Sequence, residues 1–118
     1  MRNLIISVNT NKENAEETVK KTLEWADKNS IDVLMFRDEY GLDIETVDDS
    51  KLAEMDKDET IVISLGGDGT MLKTARRIVP FELKLVGINI GSLGFLTQNR
   101  DSELIETLSK VYEGDFFI

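Results

Sequence analysis

The stretch Thr60-Ile61-Val62-Ile63-Ser64-Leu65-Gly66-Gly67-Asp68-Gly69-Thr70 runs a string of branched apolar residues into three glycines in four positions, and a helical pattern follows at once. A strand that is apolar almost throughout, rather than at alternate positions, suits a parallel sheet covered on both faces. Asn3 to Val8, Ile31 to Phe36 and Lys84 to Ile90 read the same way. Helical repeats lie between them. Ala15, Val19, Leu23 and Ala26 form one stripe of a helix over 15–28, with Asn14 as its cap, Glu17 at the capping-box position and Asn29 as its stop. Leu72, Ala75, Ile78 and Val79 mark a helix over 70–79 that Pro80 closes. Leu104, Ile105, Leu108, Val111 and Tyr112 mark another over 102–113, with Asp101 as cap and Gly114 just past its end.

This alternation predicts an α/β fold, an open and mostly parallel sheet with helices on both faces. The acidic stretch 37–59 is poorly periodic and holds either a short helix near Leu52 or a loop. Residues 115–118 read as the first half of a further strand. The expected division is therefore one α/β domain over 1–114 and the start of a second, truncated domain at 115–118.

With 41% hydrophobic and 31% charged residues in 118, the chain has the balance of an ordinary globular domain. Acidic residues outnumber basic ones by 23 to 14, and a net charge of -9 repels a nucleic-acid backbone. Small phosphorylated molecules remain open as ligands, since a metal ion and helix N-termini can meet their charge locally. The absence of Cys and His removes disulfides, thiol nucleophiles, imidazole bases and His/Cys metal sites. No segment has the length of a membrane span or the core of a signal peptide, so the expected setting is cytoplasmic, without a membrane partner.

Glycines in a strand-to-helix turn allow φ values closed to other residues and let a ligand approach the main chain, while the free N–H groups of the helix start favour phosphate oxygens. Such a turn lies at the carboxyl end of its strand, where open α/β sheets bind ligands. The P-loop pattern G-x-x-x-x-G-K-[ST] is absent. The dinucleotide fingerprint fails because its third glycine would be Leu72, and Asn89 stands where it wants an acid. An ordinary NAD-dependent dehydrogenase is thereby disfavoured. The distinguishing feature is Asp68. A carboxylate beside a phosphate-binding turn points to a bridging Mg²⁺ or to a hydroxyl whose proton it accepts; the plainer alternative is a helix cap.

Gly66 to Thr70 resembles the GGDGT signature shared by NAD kinases and by the diacylglycerol and sphingosine kinases, and it is close to the GGDGS of phosphofructokinases. A second stretch decides among them. Gly87-Ile88-Asn89-Ile90-Gly91-Ser92-Leu93-Gly94-Phe95-Leu96-Thr97 looks like the G-I-N-x-G-x-L-G-F-L of NAD kinases. The chain is similar to the N-terminal domain of that family, with a Rossmann-like α/β fold.

That resemblance implies phosphoryl transfer from ATP, or another phosphate donor, to the 2′-hydroxyl of NAD, with Mg²⁺ or another divalent cation. Asp68 takes the role of base. Gly67 and Gly69 leave room for substrates, Thr70 caps the helix or reaches a phosphate, and Leu72, Asn89 and Phe95 belong to the nucleotide pocket. Lys73, a cation in the first turn of a helix, reads either as a phosphate ligand or as a solvated surface lysine. Arg76 and Arg77 read as surface charges, and Trp25 as packing. The family's second domain carries an Asn-Glu or Asn-Asp motif that has no counterpart here, so the 118 residues alone are expected to be inactive, and the complete protein to be a homo-oligomer. The competing readings are a lipid kinase of the diacylglycerol or sphingosine type, and a nucleotide-binding module without catalysis.

Overall fold

The computed structural model describes residues 1–36, 44–90, 99–100 in their backbone, and 104–112. In chain order the elements are β1 (Asn3–Val8), α1 (Ala15–Lys28), β2 (Asp32–Met35), β3 (Glu45–Thr46), α2 (Asp49–Glu54), β4 (Thr60–Gly66) and α3 (Asp68–Ile78). A 3-10 turn (Val79–Phe81), β5 (Lys84–Asn89), β6 (Asn99–Arg100) and α4 (Leu104–Tyr112) follow. The strands form one sheet in the order β3-β2-β1-β4-β5-β6, and every pairing is parallel. The α/β architecture read from the sequence is present, with two additional two-residue edge strands.

Successive residues of a strand face opposite sides, so the continuous apolar runs supply two cores at once. Leu4, Ile6, Ile61, Ile63, Leu65 and Ile88 join α1 and α4 in one layer. Ile5, Leu34 and Val62 join Leu52 of α2 and Ile78 of α3 in the other. The ambiguity over residues 37–59 resolves in part as α2, because Asp48 supplies a cap: its carboxylate accepts the Lys51 backbone N–H at 2.9 Å.

The buried face of α1 comprises Ala15, Thr18, Val19, Thr22, Trp25 and Ala26, with Leu23 only half-buried. The stripe expected from apolar residues alone is thus rotated towards two threonines. Each threonine donates its hydroxyl to the carbonyl four residues back, Thr18 to Asn14 at 2.7 Å and Thr22 to Thr18 at 2.8 Å, and so presents a methyl group to the core. Asn14 occupies the cap position without a side-chain cap bond. At the other end Asn29 donates its side-chain amide to the Trp25 carbonyl at 2.8 Å, and the left-handed residue is Ser30, φ 56°. Asp101, Gly114 and residues 115–118 lie outside the described residues.

Trp25 packs edge-on against Tyr112, ring centres 5.9 Å apart, and ties α1 to α4. Replacing Trp25 with Ala should cost ~3–5 kcal/mol in denaturant unfolding, and Leu23→Ala about 1 kcal/mol. Equal losses would restore the simple apolar stripe.

Candidate functional site

The strand order reverses direction between β1 and β4. The chain leaves β1 through α1 towards β2 on one side, and leaves β4 through α3 towards β5 on the other. Those two helices lie on opposite faces of the sheet, so the carboxyl ends of β1 and β4 stand apart from any crossing connection, and a crevice opens there.

Gly66 fixes how closely α3 begins. A Cβ at this position would lie 2.5 Å from Thr70 Oγ1, 2.9 Å from Thr70 Cβ and 3.1 Å from Asn9 Cβ. Hydrogen bonds clamp the same residue and its neighbour from both sides: the Asn9 N–H donates to the Leu65 carbonyl and the Ile90 N–H to the Gly66 carbonyl, each at 2.8 Å. The helix therefore starts at the strand end, with Gly67 as its cap and Asp68 as its first residue. None of Gly66, Gly67 and Gly69 uses a left-handed φ, so the conformational freedom expected of them is not what the turn requires. Only Gly66 is demanded by the protein's own packing. At Gly67 the nearest atoms to a built Cβ are Asn89 Oδ1 at 3.9 Å and Lys12 Nζ at 4.0 Å, and at Gly69 nothing lies within 4 Å.

Beneath α3 runs a row of small residues in register, Ser7 on β1, Ser64 on β4 and Gly87 on β5. It lets the helix sit low on the sheet. The Thr74 hydroxyl bonds the Thr70 carbonyl at 2.7 Å and the Ser7 hydroxyl at 2.8 Å. With one proton to share, and a carbonyl able only to accept, Thr74 donates to Thr70 and Ser7 donates to Thr74.

A cleft of about 760 Å³ opens beside this helix start. Ser7 to Asn11 line it from the end of β1, Phe36 from the end of β2, and Gly69, Thr70, Lys73, Thr74 and Arg77 from α3. Residues of a helix turn by ~100° each, so 69, 73 and 77 form one stripe and 70 and 74 the adjoining one. Both face the β1–β2 side.

The remaining expected site residues divide from these. Leu72 lies on the far flank of α3, 47% exposed and away from the cleft lining. Asn89, at the carboxyl end of β5, is 2% exposed and faces Gly67. Asp68 is half-buried at the tip of α3, where the two flanks meet. It is a first-turn residue rather than a cap, placed where a carboxylate interacts favourably with the helix dipole. Phe95 lies outside the described residues.

Two cations were not legible as site residues. Lys12, from the loop after β1, brings its ammonium to the turn. Its only sequence signal is a lysine shortly after an apolar strand. Arg77, read as a surface charge, lies over the Phe36 ring at 4.6 Å and lines the cleft. Its spacing of four from Lys73 could have placed both on one stripe.

Strand order, crevice and glycine turn define a doubly wound α/β domain with a crevice at the switch between β1 and β4. A profile of the ATP-NAD kinase N-terminal domain matches residues 4–116, and the chain belongs to that family. An NAD kinase of Clostridium tetani is 32% identical over all of this chain and 40% of its own length. One of Chlorobium phaeobacteroides is 33% identical over 96% of the chain and 39% of its own length. One of Nitrosomonas europaea is 48% identical over 57% of the chain. The crystal structure of yeast NADH kinase complexed with NADH shares the fold, with a TM-score of 0.64 at 14% identity over 98% of this chain and 39% of that one. The chain thus spans about 40% of the length of its relatives. Among the described residues no helix is long and apolar enough to cross a membrane.

The three glycines differ in the room around them. Gly66→Ala should destabilise the domain by ~1–3 kcal/mol, since the Cβ atoms of Thr70 and Asn9, unlike a side-chain tip, can give way only by carrying their backbone with them. Gly67→Ala and Gly69→Ala should stay within ~1 kcal/mol of the parent in the same unfolding measurement. A neutral Gly66→Ala would show that α3 can start further from the strand.

Proposed function

We propose that the complete protein transfers the terminal phosphoryl group of ATP to the 2′-hydroxyl of NAD, giving NADP, with Asp68 as the base. The observation that carries this reading is the turn itself. The first turn of α3, Asp68 to Thr70, opens directly from β4 beside an open cleft, where a helix start presents backbone N–H groups to an anion, with Asp68 at the tip. Lys12 brings its ammonium to the turn from the loop after β1, and Lys73 lines the cleft one turn along α3, so an anion held there has two cationic residues beside it.

In this arrangement the donor occupies the β1–β2 flank, with its phosphates over the Gly67 to Thr70 amides and against Lys73. The acceptor comes from the other flank, past Leu72 and Asn89 and towards the segment that carries Phe95. Asp68, between them, accepts the proton of the attacking hydroxyl. A carboxylate is a weak base for an alcohol, but in a loose phosphoryl transition state the proton can move late, and positioning supplies most of the acceleration.

Among the described residues no group of three carboxylates could cage a metal ion. Asp68 at the turn suits a divalent cation carried mainly by the donor's phosphates, which needs only one or two protein carboxylates. Such an ion would neutralise charge developing on the phosphoryl oxygens. The relatives are about two and a half times as long as this stretch, and we place the rest of the acceptor pocket, and the contacts that make a homo-oligomer, in that further part. The 118 residues alone should form no NADP. We assign the protein to the cytoplasm, where both nucleotides are at hand.

Asp68→Asn in the complete protein should lower kcat by about 10²–10⁴, with KM for both substrates changed only a few-fold. An unchanged kcat would remove Asp68 from the chemistry. Lys12→Ala should raise KM for the donor more than KM for NAD.

A further inference from the structure

The far end of the cleft holds two side chains that the transfer chemistry does not use. Arg77 lies with its guanidinium 4.6 Å from the centre of the Phe36 ring, and an Nη of the same group is 3.6 Å from Asp49 Oδ1. The ring lies under the guanidinium carbon and the carboxylate stands beside one Nη. The side chain nevertheless stays 45% exposed, on a residue that lines the cleft. What it offers a ligand is a flat, weakly hydrated cationic face, since part of its charge is already met by Asp49.

Distance sets which part of a donor can reach it. Arg77 is eight residues along α3 from Gly69, about 12 Å at the helical rise. Lys73 lies midway on the same stripe and has no ion pair among the described residues. A nucleoside triphosphate with its terminal phosphate at the helix start spans this length through its phosphates and ribose. Its phosphates then pass Lys73 and its base arrives at Arg77.

We propose that Arg77, stacked on Phe36, is the seat for the nucleobase of the phosphoryl donor, and that this pair selects a nucleoside triphosphate over an inorganic phosphate chain. The inference rests on the reading of the turn as the donor's phosphate site and adds the determinant of donor class. Phe36 stiffens the platform, and the base stacks on the open face of the guanidinium, as bases do on arginine planes in other sites.

The test is binding to the complete protein, with a non-hydrolysable ATP analogue and inorganic tripolyphosphate as separate ligands. Arg77→Ala should weaken the analogue about tenfold and tripolyphosphate by less than twofold. Arg77→Lys, which keeps the charge and loses the plane, should resemble Arg77→Ala, and Phe36→Leu should weaken the analogue about fivefold. Retained tripolyphosphate binding shows that the variants are folded. Equal weakening of both ligands would make Arg77 a phosphate contact, and rescue by Lys or an unaffected analogue would also overturn the proposal. If the parent protein binds neither ligand, the donor-site reading of the turn fails first. If the parent binds both and the variants are normal, only the platform fails.

Discussion

The absence of a side chain at Gly66 is the constraint on which the rest of the structure depends. Because nothing projects from the last residue of β4, Thr70 and Asn9 close over it, and α3 begins without an intervening loop. The first-turn backbone amides of α3 are thereby delivered to the carboxyl edge of the sheet at the point where the strand order reverses. A bulkier residue would push the helix start outwards and lift Thr74 from Ser7, whose paired hydroxyls hold the first turns of α3 down on the small-residue row.

With the helix start fixed, the period of α3 sorts function by flank. Gly69, Lys73 and Arg77 turn to the cleft on the β1–β2 side, Leu72 turns away from it, and Asp68 sits at the tip common to both. The proposed transfer between two nucleotides uses this geometry, with two ligands entering from different sides and Asp68 where they meet.

Much of this was legible in the sequence for identifiable reasons. The four main strands announce themselves because a parallel sheet buried on both faces needs continuous apolar runs. The Gly66 to Thr70 turn stands out because three glycines after such a strand are hard to explain by packing alone. The edge strands β3 and β6 were not legible, since two residues are too short to show a period. The α1 stripe of Ala15, Val19, Leu23 and Ala26 does face the core, but Thr18 and Thr22 were missed beside it, because threonines that return their hydroxyls to the helix bury like apolar residues. The glycines were credited with unusual φ angles when the one that matters is there for close approach. Lys12 and the Arg77–Phe36 stack depend on elements distant in the chain, and local pattern carries no record of them.

The most direct measurement of the central claim is a crystal structure of the complete protein with NAD and a non-hydrolysable ATP analogue bound together. The terminal phosphate should lie over the amides of Gly67 to Thr70, on the Lys73 flank of α3. The ribose 2′-hydroxyl of NAD should lie on the other flank, within about 2.6–3.2 Å of an Asp68 carboxylate oxygen. Both nucleotides on one flank, or an Asp68 carboxylate out of reach of the ribose, would contradict the claim.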